Sequence, residues 1–306
     1  MKRNTIKKFL DFVEMQTKLA TVVPALTAMA YSFYTAGTIS GRSMVIYFGA
    51  ALFLDMSVTA INNHIDMRED KSKKPHYRTF ISLAVIFLML LVFSALGLYL
   101  AYLHGVTVFL AGALCLFVGV VYTFGPAPIY KTLYGEIASG FIVGAVIMFI
   151  VLSINDPYFD PLGVTFDLTD LRLAMDIDLP ALLSFGLVTL PAVFCVANIM
   201  LANNICDREK DRQFRYTMVH HLGLKKSLYL FAGLYYSSYA AVLSATALGL
   251  LPLWCLLTLL TLPPVKKNIR RFFDEQNKAA TFRLAIKNFM LIMVVYALGM
   301  TIGGMF

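Results

Sequence analysis

Residues 80–103 read FISLAVIFLMLLVFSALGLYLAYL and contain no charged side chain. A helix needs about 20 apolar residues to cross the hydrocarbon core of a bilayer, so this stretch is long enough to do so. The whole chain has the same character, because 59% of its 306 residues are hydrophobic and only 14% are charged. Soluble domains are about 45–50% apolar and about 25% charged. The composition excludes an ordinary soluble enzyme, a disordered chain and a disulfide scaffold, and it predicts an all-α polytopic membrane protein.

Nine apolar stretches predict nine transmembrane helices in one domain that comprises residues 1–306. The predicted spans are residues 19–37, 44–63, 80–103, 106–124, 134–154, 180–203, 227–248, 249–264 and 288–306. The stretch at 249–264 is short and follows its neighbour directly, so the boundary between these two spans is the least defined.

The distribution of basic residues predicts the orientation. If the N-terminus is cytoplasmic, all 26 Lys and Arg residues except Arg42 and Arg172 fall on the cytoplasmic side, as the positive-inside rule requires. The C-terminus is then outside. We attribute the net charge of +8 to this topology and expect no nucleic-acid partner. The loop at 155–179 carries six Asp and is expected outside as a solvated cap.

Two similar segments follow the second and sixth predicted spans. Residues 62–71 read NNHIDMREDK and residues 203–212 read NNICDREKDR, a shared N-N-x-x-D-x-x-x-D-[K/R] pattern. Residues at i, i+4 and i+8 lie along one helix face, so each segment presents one Asn and two Asp together. Polar helix ends in the headgroup zone would explain one such segment. Two copies at equivalent positions instead favour a site between repeated halves.

Two opposed faces of this kind would gather four carboxylates, which repel one another unless a cation lies between them. Hard oxygen ligands suit Mg²⁺, which often shares its coordination shell with substrate phosphates. The sequence therefore predicts a magnesium and diphosphate site at the cytoplasmic ends of the two spans. Its predicted metal ligands are Asp66, Asp70, Asp207 and Asp211.

The paired motifs resemble those of the UbiA-type intramembrane prenyltransferases. Residues 122–137, YTFGPAPIYKTLYGEI, are similar to the family's segment between spans four and five. This segment is closest to the branch that prenylates 1,4-dihydroxy-2-naphthoate in menaquinone synthesis. The second motif also continues to Arg215-Tyr216-Thr217, as in that branch. The resemblance extends over roughly residues 15–304.

The resemblance implies nine helices around a central chamber that opens sideways to lipid. It implies Mg²⁺-dependent transfer of a prenyl group from a polyprenyl diphosphate to an aromatic acceptor. In the naphthoate branch, carbon dioxide leaves and the product is demethylmenaquinone. A bacterial cell membrane is the implied location.

Further residues receive expected roles beside the metal ligands. Asn62 is expected to complete the catalytic set with the four Asp. Asp55 lies two turns before Asn62 on nearly the same face and either orients the acceptor or makes a satisfied buried contact. The expected substrate-binding residues are Asp55, Tyr122, Lys131, Asn203, Arg208 and Arg215.

Several alternatives stay open at this point. The acceptor could instead be 4-hydroxybenzoate, homogentisate, haem or a glycerol phosphate. A membrane transporter also combines repeated halves with intramembrane acids, but here the acids cluster at one membrane face instead of the midplane. The motifs depart from the family at Asn63, where many relatives have Asp, and at Phe214, where relatives often have Gly. Because of Asn63, the alternative that the chain is a non-catalytic relative of the family also stays open.

Overall fold

A computed structural model describes residues 2–14, 18–69, 79–167, 169–170, 172–213 and 215–306; for residues 2–6, 19 and 66–69 it describes the backbone alone. The helices are α1 (Lys2–Phe12), α2 (Leu19–Ala36), α3 (Gly41–Glu69), α4 (Thr79–His104), α5 (Val106–Thr123), α6 (Gly135–Ser139), α7 (Ile147–Asn155), α8 (Leu179–Cys206), α9 (Arg208–Asp211), α10 (Met218–Ala247), α11 (Leu262–Asp274) and α12 (Phe282–Gly303). A π-helical segment, Gly140–Val146, joins α6 to α7. Short 3₁₀ segments, Ile129–Lys131 and Leu253–Thr261, lie before α6 and α11.

The expected all-α, multi-pass architecture is confirmed. Six helical stretches in the described residues are long and apolar enough to cross a membrane: Gly41–Ile65, Thr79–His104, Val106–Thr123, Gly135–Asn155, Leu179–Cys206 and Phe282–Gly303. The other three predicted spans also lie in helical segments, namely α2, α10 and the run from Leu253 into α11. The count of nine spans stays a prediction.

The short apolar stretch at 249–264 contains nine residues of 3₁₀ helix, Leu253–Thr261. A 3₁₀ helix rises about 2.0 Å per residue, against about 1.5 Å for an α-helix. These nine residues therefore extend further along the helix axis than an α-helix of the same number of residues would.

Glycines allow the π-helical segment to lie directly against α8. A Cβ added at Gly140 would be 2.7 Å from the Val193 carbonyl oxygen, and one added at Gly144 would be 2.5 Å from the Val193 Cα atom. Only glycine permits so close an approach of two backbones. This contact fixes the position of α6 and of the preceding loop relative to the second motif at the end of α8.

The acid-rich loop contains a small sheet that hydropathy did not predict. Strands β1 (Val164–Asp167) and β2 (Arg172–Met175) pair antiparallel, with Val164 opposite Met175. Most of their side chains are exposed, which agrees with a solvated cap at that end of the bundle.

Candidate active site

A cavity of about 390 Å³ lies between α2, α3, α5, α8 and the start of α12. Its wall contains the first Asn of each motif, Asn62 from α3 and Asn203 from α8. The other polar side chains on its wall are Glu14, Thr21, Asp55, Thr59, Tyr122, Thr123, Tyr130, Ser139 and Arg215. The structure thus brings residues from both motifs and from the 122–137 segment to one chamber.

The first motif enters this chamber through Asn62. Its side-chain oxygen is buried and accepts no hydrogen bond from the described residues. Asp66 lies four residues further along α3, where the structure describes only the backbone. The expected ligand Asp70 lies outside the described residues, so its role stays a prediction.

The side chain of the neighbouring Asn63 points toward the end of α1. Its amide nitrogen donates to the carbonyl oxygen of Phe12 at 2.9 Å and to Glu14 Oε1 at 3.3 Å. The departure from the family at this position therefore serves the packing of α1 on α3. A carboxylate at this position could not donate to the carbonyl.

The second motif spans a helix break. Helix α8 ends at Cys206 and α9 starts at Arg208, with Asp207 between them. The Asp207 N–H donates to the Asn203 carbonyl at 3.0 Å, and the Asp211 N–H donates to the Asp207 carbonyl at 2.9 Å. The expected i, i+4 spacing is kept across the break, but the two carboxylates contact different partners.

Asp207 pairs with a lysine from the loop before α12. Lys278 Nζ donates to Asp207 Oδ2 at 2.6 Å and also to the side-chain oxygen of Asn203. A single positive charge is therefore held between an amide oxygen and a carboxylate of the second motif. No spacing in the sequence points to Lys278, because it lies 71 residues beyond Asp207.

Asp211 faces Arg215 instead. Its Oδ2 is 3.4 Å from Arg215 Nη1, which is within ion-pair range, although the geometry is not that of a hydrogen bond. Burial raises the pKa of the Asp211 carboxyl, and the nearby Arg215 guanidinium opposes that shift. The Arg215 guanidinium also lies over the Tyr130 ring, 4.7 Å from its centroid. Arg215 therefore stands on the chamber wall between an acid and an aromatic face.

The other two basic candidates lie away from this chamber. Arg208 pairs with Glu209 at the protein surface and does not line the cavity. Lys131 Nζ lies 5.5 Å from the centroid of the Tyr130 ring and lines a separate cavity of about 680 Å³ with His64. Of the three basic residues expected to bind substrate, only Arg215 lines this chamber.

A buried acid supports the second motif from α6. Glu136 is 5% exposed, and its Oε1 accepts a hydrogen bond from Asn204 Nδ2 at 2.9 Å. The sequence pattern does not predict this role, because an acid in the first turn of a helix is explained by the helix dipole alone. Glu136 therefore links the 122–137 segment to the motif that follows α8.

A second buried network surrounds Asp55. Lys18 Nζ donates to Asp55 Oδ1 at 2.8 Å, to the Asp55 carbonyl at 3.3 Å and to Thr59 Oγ1 at 2.6 Å. Thr21 Oγ1 donates to the other carboxylate oxygen, Asp55 Oδ2, at 2.7 Å. The sequence predicts for Lys18 only a contribution to the positive charge of the cytoplasmic side.

Apolar space continues from the polar chamber into the bundle. A cavity of about 220 Å³ shares Thr21, Asp55 and Tyr122 with the chamber. A third, of about 290 Å³, shares Leu54 and Cys115 with the second and is lined mainly by apolar side chains of α3, α4 and α5. Polar and apolar compartments therefore adjoin each other at Asp55 and Tyr122.

The side-chain oxygens at the second motif are ligands of the type that a hard divalent cation prefers. Two of its oxygens, on Asn203 and Asp207, already hold the ammonium of Lys278, and the oxygen of Asn62 on the same chamber wall lacks a hydrogen-bond donor among the described residues. All are oxygen donors, the type that Mg²⁺ prefers. Among the described side chains, no three of His, Cys, Asp and Glu form a metal cluster; the acids of the first motif are not in that set.

The family model of the UbiA prenyltransferases matches residues 21–295. The chain belongs to this family. The membership expected from the paired motifs is thereby confirmed. A 1,4-dihydroxy-2-naphthoate octaprenyltransferase of Bacillus subtilis (strain 168) is 26% identical over 182 residues. That match spans 59% of this chain and about half (51%) of the relative.

Solved structures share the fold at low sequence identity. A UbiA homologue from Archaeoglobus fulgidus bound to DMAPP and Mg²⁺ is 14% identical, with a TM-score of 0.66, and the match covers 97% of this chain and 98% of that one. A digeranylgeranylglyceryl phosphate synthase is 14% identical with a TM-score of 0.65, and 99% of each chain is covered. These similarities extend the family fold over nearly the whole chain.

Proposed function

We propose that this protein transfers a polyprenyl group from a polyprenyl diphosphate to 1,4-dihydroxy-2-naphthoate, with release of carbon dioxide and diphosphate. Both ring hydroxyls are kept in this reaction, so the immediate product is the hydroquinone form of demethylmenaquinone, and a separate oxidant converts it to the quinone. The observation that carries the proposal is the meeting of both motifs at a polar chamber that continues into apolar space. This arrangement suits a substrate with a charged diphosphate head and a long hydrocarbon tail. The B. subtilis relative supports the choice of acceptor.

The polar end of the chamber would bind the diphosphate. Arg215 offers a guanidinium, which suits bidentate contact with phosphate oxygens. Asn62, Asn203 and Asp207, together with the predicted ligands Asp66, Asp70 and Asp211, would hold Mg²⁺. When bound, Mg²⁺ stabilises the negative charge that develops on the departing diphosphate.

The apolar cavities would take the prenyl tail, and their walls would exclude water from the reacting carbon. As the bond between that carbon and the diphosphate oxygen breaks, the electron pair leaves with the diphosphate and positive charge develops on the allylic group. The rings of Tyr122 and Tyr130 lie 6.2 Å apart on the chamber wall, and their faces favour a nearby cation. The electron-rich acceptor ring then forms the new carbon–carbon bond at the carbon that carries the carboxylate. The bond from that carbon to the carboxylate breaks, carbon dioxide leaves, and the electron pair of the broken bond restores the aromatic ring.

We place the protein in a bacterial cell membrane, with a cytoplasmic N-terminus, an outer C-terminus and a single domain over residues 1–306. Its proposed partners are the polyprenyl diphosphate, the aromatic acceptor and the surrounding lipid. The charge distribution supports this orientation, since it places the polar chamber on the cytoplasmic side.

The test is product formation by the purified protein in lipid nanodiscs. A labelled polyprenyl diphosphate is offered with 1,4-dihydroxy-2-naphthoate or with 4-hydroxybenzoate, with and without Mg²⁺. We expect Mg²⁺-dependent formation of the prenylated naphthohydroquinone, which air oxidises to the quinone for detection. Asp207→Asn should lower the rate of product formation at least about 100-fold. The control is Asp156→Asn, which changes an acid paired with Thr35 at the other end of the bundle. Product with the benzoate alone would show that the acceptor is 4-hydroxybenzoate and not the naphthoate. No product with either acceptor would overturn the proposal.

A further inference from the structure

The Lys18–Asp55 network stands where the polar chamber meets the apolar cavity, and the catalytic steps above give it no task. Asp55 is one of the described residues that line both spaces. Its side chain is 25% exposed, whereas that of Lys18 is only 7% exposed. The carboxylate is therefore open to the cavity and the ammonium is closed off from it.

The hydrogen bonds show which of the two groups can still bind a ligand. An ammonium has three N–H donors, and Lys18 directs its nitrogen to three oxygens of Asp55 and Thr59. Each Asp55 carboxylate oxygen accepts one hydrogen bond from the described side chains, Oδ1 from Lys18 and Oδ2 from Thr21. A carboxylate oxygen has two lone pairs, so Asp55 keeps acceptor capacity toward the cavity.

The same contacts also fix the orientation of the Asp55 carboxylate. Lys18 lies at the start of α2 and Asp55 in the middle of α3, so the pair joins two helices and holds the carboxylate from two sides. Thr59 adds a contact one turn further along α3, where its hydroxyl donates to the Asp55 carbonyl at 2.9 Å. The carboxylate is preorganised, and it needs no further cation to stay in place.

We propose that Asp55 binds the aromatic acceptor by accepting a hydrogen bond from a ring hydroxyl, and that Lys18 is the positioning residue that holds the carboxylate in place. This inference rests on the proposed function, since it names the subsite for the acceptor of the same reaction. The acceptor class that fits is a hydroxyaromatic compound. The hydroxyl lies on the carboxylate, and the ring lies at the junction where the apolar cavity delivers the prenyl carbon.

The test measures steady-state kinetics of the full chain in nanodiscs with 1,4-dihydroxy-2-naphthoate and polyprenyl diphosphate varied in turn. Asp55→Asn keeps the size of the side chain and one acceptor oxygen for Lys18. We expect it to raise the KM for the acceptor about 10-fold or more, because a hydrogen bond to a charged group is lost. The KM for the diphosphate substrate should not change. Asp156→Asn is the matched control, because Asp156 also accepts a hydrogen bond from a threonine of α2, Thr35.

A second measurement identifies the hydroxyl. The analogue with both ring hydroxyls methylated is offered as a competitive inhibitor. It should have the same inhibition constant with wild-type protein and with Asp55→Asn, because it has no ring hydroxyl to donate.

Lys18 is tested by a set of three variants. Lys18→Arg should restore a low acceptor KM that Lys18→Met loses. If Lys18→Met fails to fold, the double variant Lys18→Met/Asp55→Asn removes the unpaired charge and should fold, with the acceptor KM still raised.

The outcomes separate the two proposals. Wild-type protein that forms no prenylated product would overturn the proposed function and this inference together. Active wild-type protein, with an Asp55→Asn variant that changes the diphosphate KM instead of the acceptor KM, would overturn this inference alone. A methylated analogue that discriminates between the two proteins as strongly as the natural acceptor would do the same.

Discussion

Two lysine–aspartate pairs contact residues of the chamber wall, and they have similar distances but different surroundings. Lys18 and Asp55 are 2.8 Å apart, and their side chains are 7% and 25% exposed. Lys278 and Asp207 are 2.6 Å apart, and their side chains are 45% and 22% exposed. The first ammonium is enclosed by three oxygen acceptors, whereas the second reaches the site from a loop.

The distance between two charged groups therefore does not determine by itself whether their ion pair is permanent or exchangeable. Removing one partner of a buried pair leaves an uncompensated charge, which is costly, whereas an exposed lysine exchanges readily with water or another cation. We therefore interpret Lys18–Asp55 as a permanent part of the chamber wall. We propose that Lys278 instead occupies the position that a divalent cation takes when it binds Asp207.

The largest expected effect on stability is that of Lys18→Met. The variant removes the counter-charge from Asp55 and leaves Thr59 without its donor. We expect a loss of about 2–3 kcal/mol in the free energy of unfolding, below the full cost of breaking a buried pair because Asp55 is partly exposed. Thermal unfolding in detergent micelles measures it. A variant as stable as the wild type would remove the distinction between the two pairs.

Glu136 is a buried acid whose hydrogen-bond partner is an amide, Asn204, and the described residues form no ion pair with it. Glu136→Ala removes the acceptor for the Asn204 amide and should cost about 1–3 kcal/mol. Glu136→Gln keeps an acceptor oxygen of the same reach and should cost less. Chemical denaturation of both variants compares them, and equal losses would show that the hydrogen bond to Asn204 is unimportant.

Asn63→Asp places a second acid beside Glu14. The carboxylate would lose the hydrogen bond to the Phe12 carbonyl and face the Glu14 carboxylate. We expect a loss of about 1 kcal/mol, with α1 released from α3. Hydrogen exchange of the α1 amides is the measurement, with Asn63→Ala as the control that adds no charge. Unchanged protection in both variants would contradict this interpretation of the motif's departure from the family.

The smallest expected effect is that of Lys278→Met on stability. Because the lysine is half-exposed, the cost should stay below about 1 kcal/mol and shrink further at high salt. Thermal unfolding at low and high ionic strength tests both statements. A loss as large as that of Lys18→Met would show that the second pair is as permanent as the first.

Hydropathy and the repeated motif predicted much of this architecture. The apolar spans predicted the helices because membrane helices are defined by local composition. The repeated i, i+4 pattern predicted one site with residues from both motifs, and Asn62 and Asn203 do line the same chamber. The pattern could not show that Asp207 and Asp211 turn to different partners at a helix break, or that Arg208 pairs at the surface. Nor could local sequence show the partners of Lys18, Glu136 and Lys278, which lie 37, 68 and 71 residues away. The hairpin in the 155–179 loop was also missed, because its short strands carry no apolar alternation.

Binding of Mn²⁺, used as a probe for Mg²⁺, tests the central contrast most directly. Electron paramagnetic resonance can measure it on wild-type protein, Lys278→Met and Lys18→Met in nanodiscs without substrate. We predict tighter binding by Lys278→Met, because a competing cation is removed from Asp207, and unchanged binding by Lys18→Met. Equal affinity in all three proteins, or tighter binding on loss of Lys18, would contradict the account.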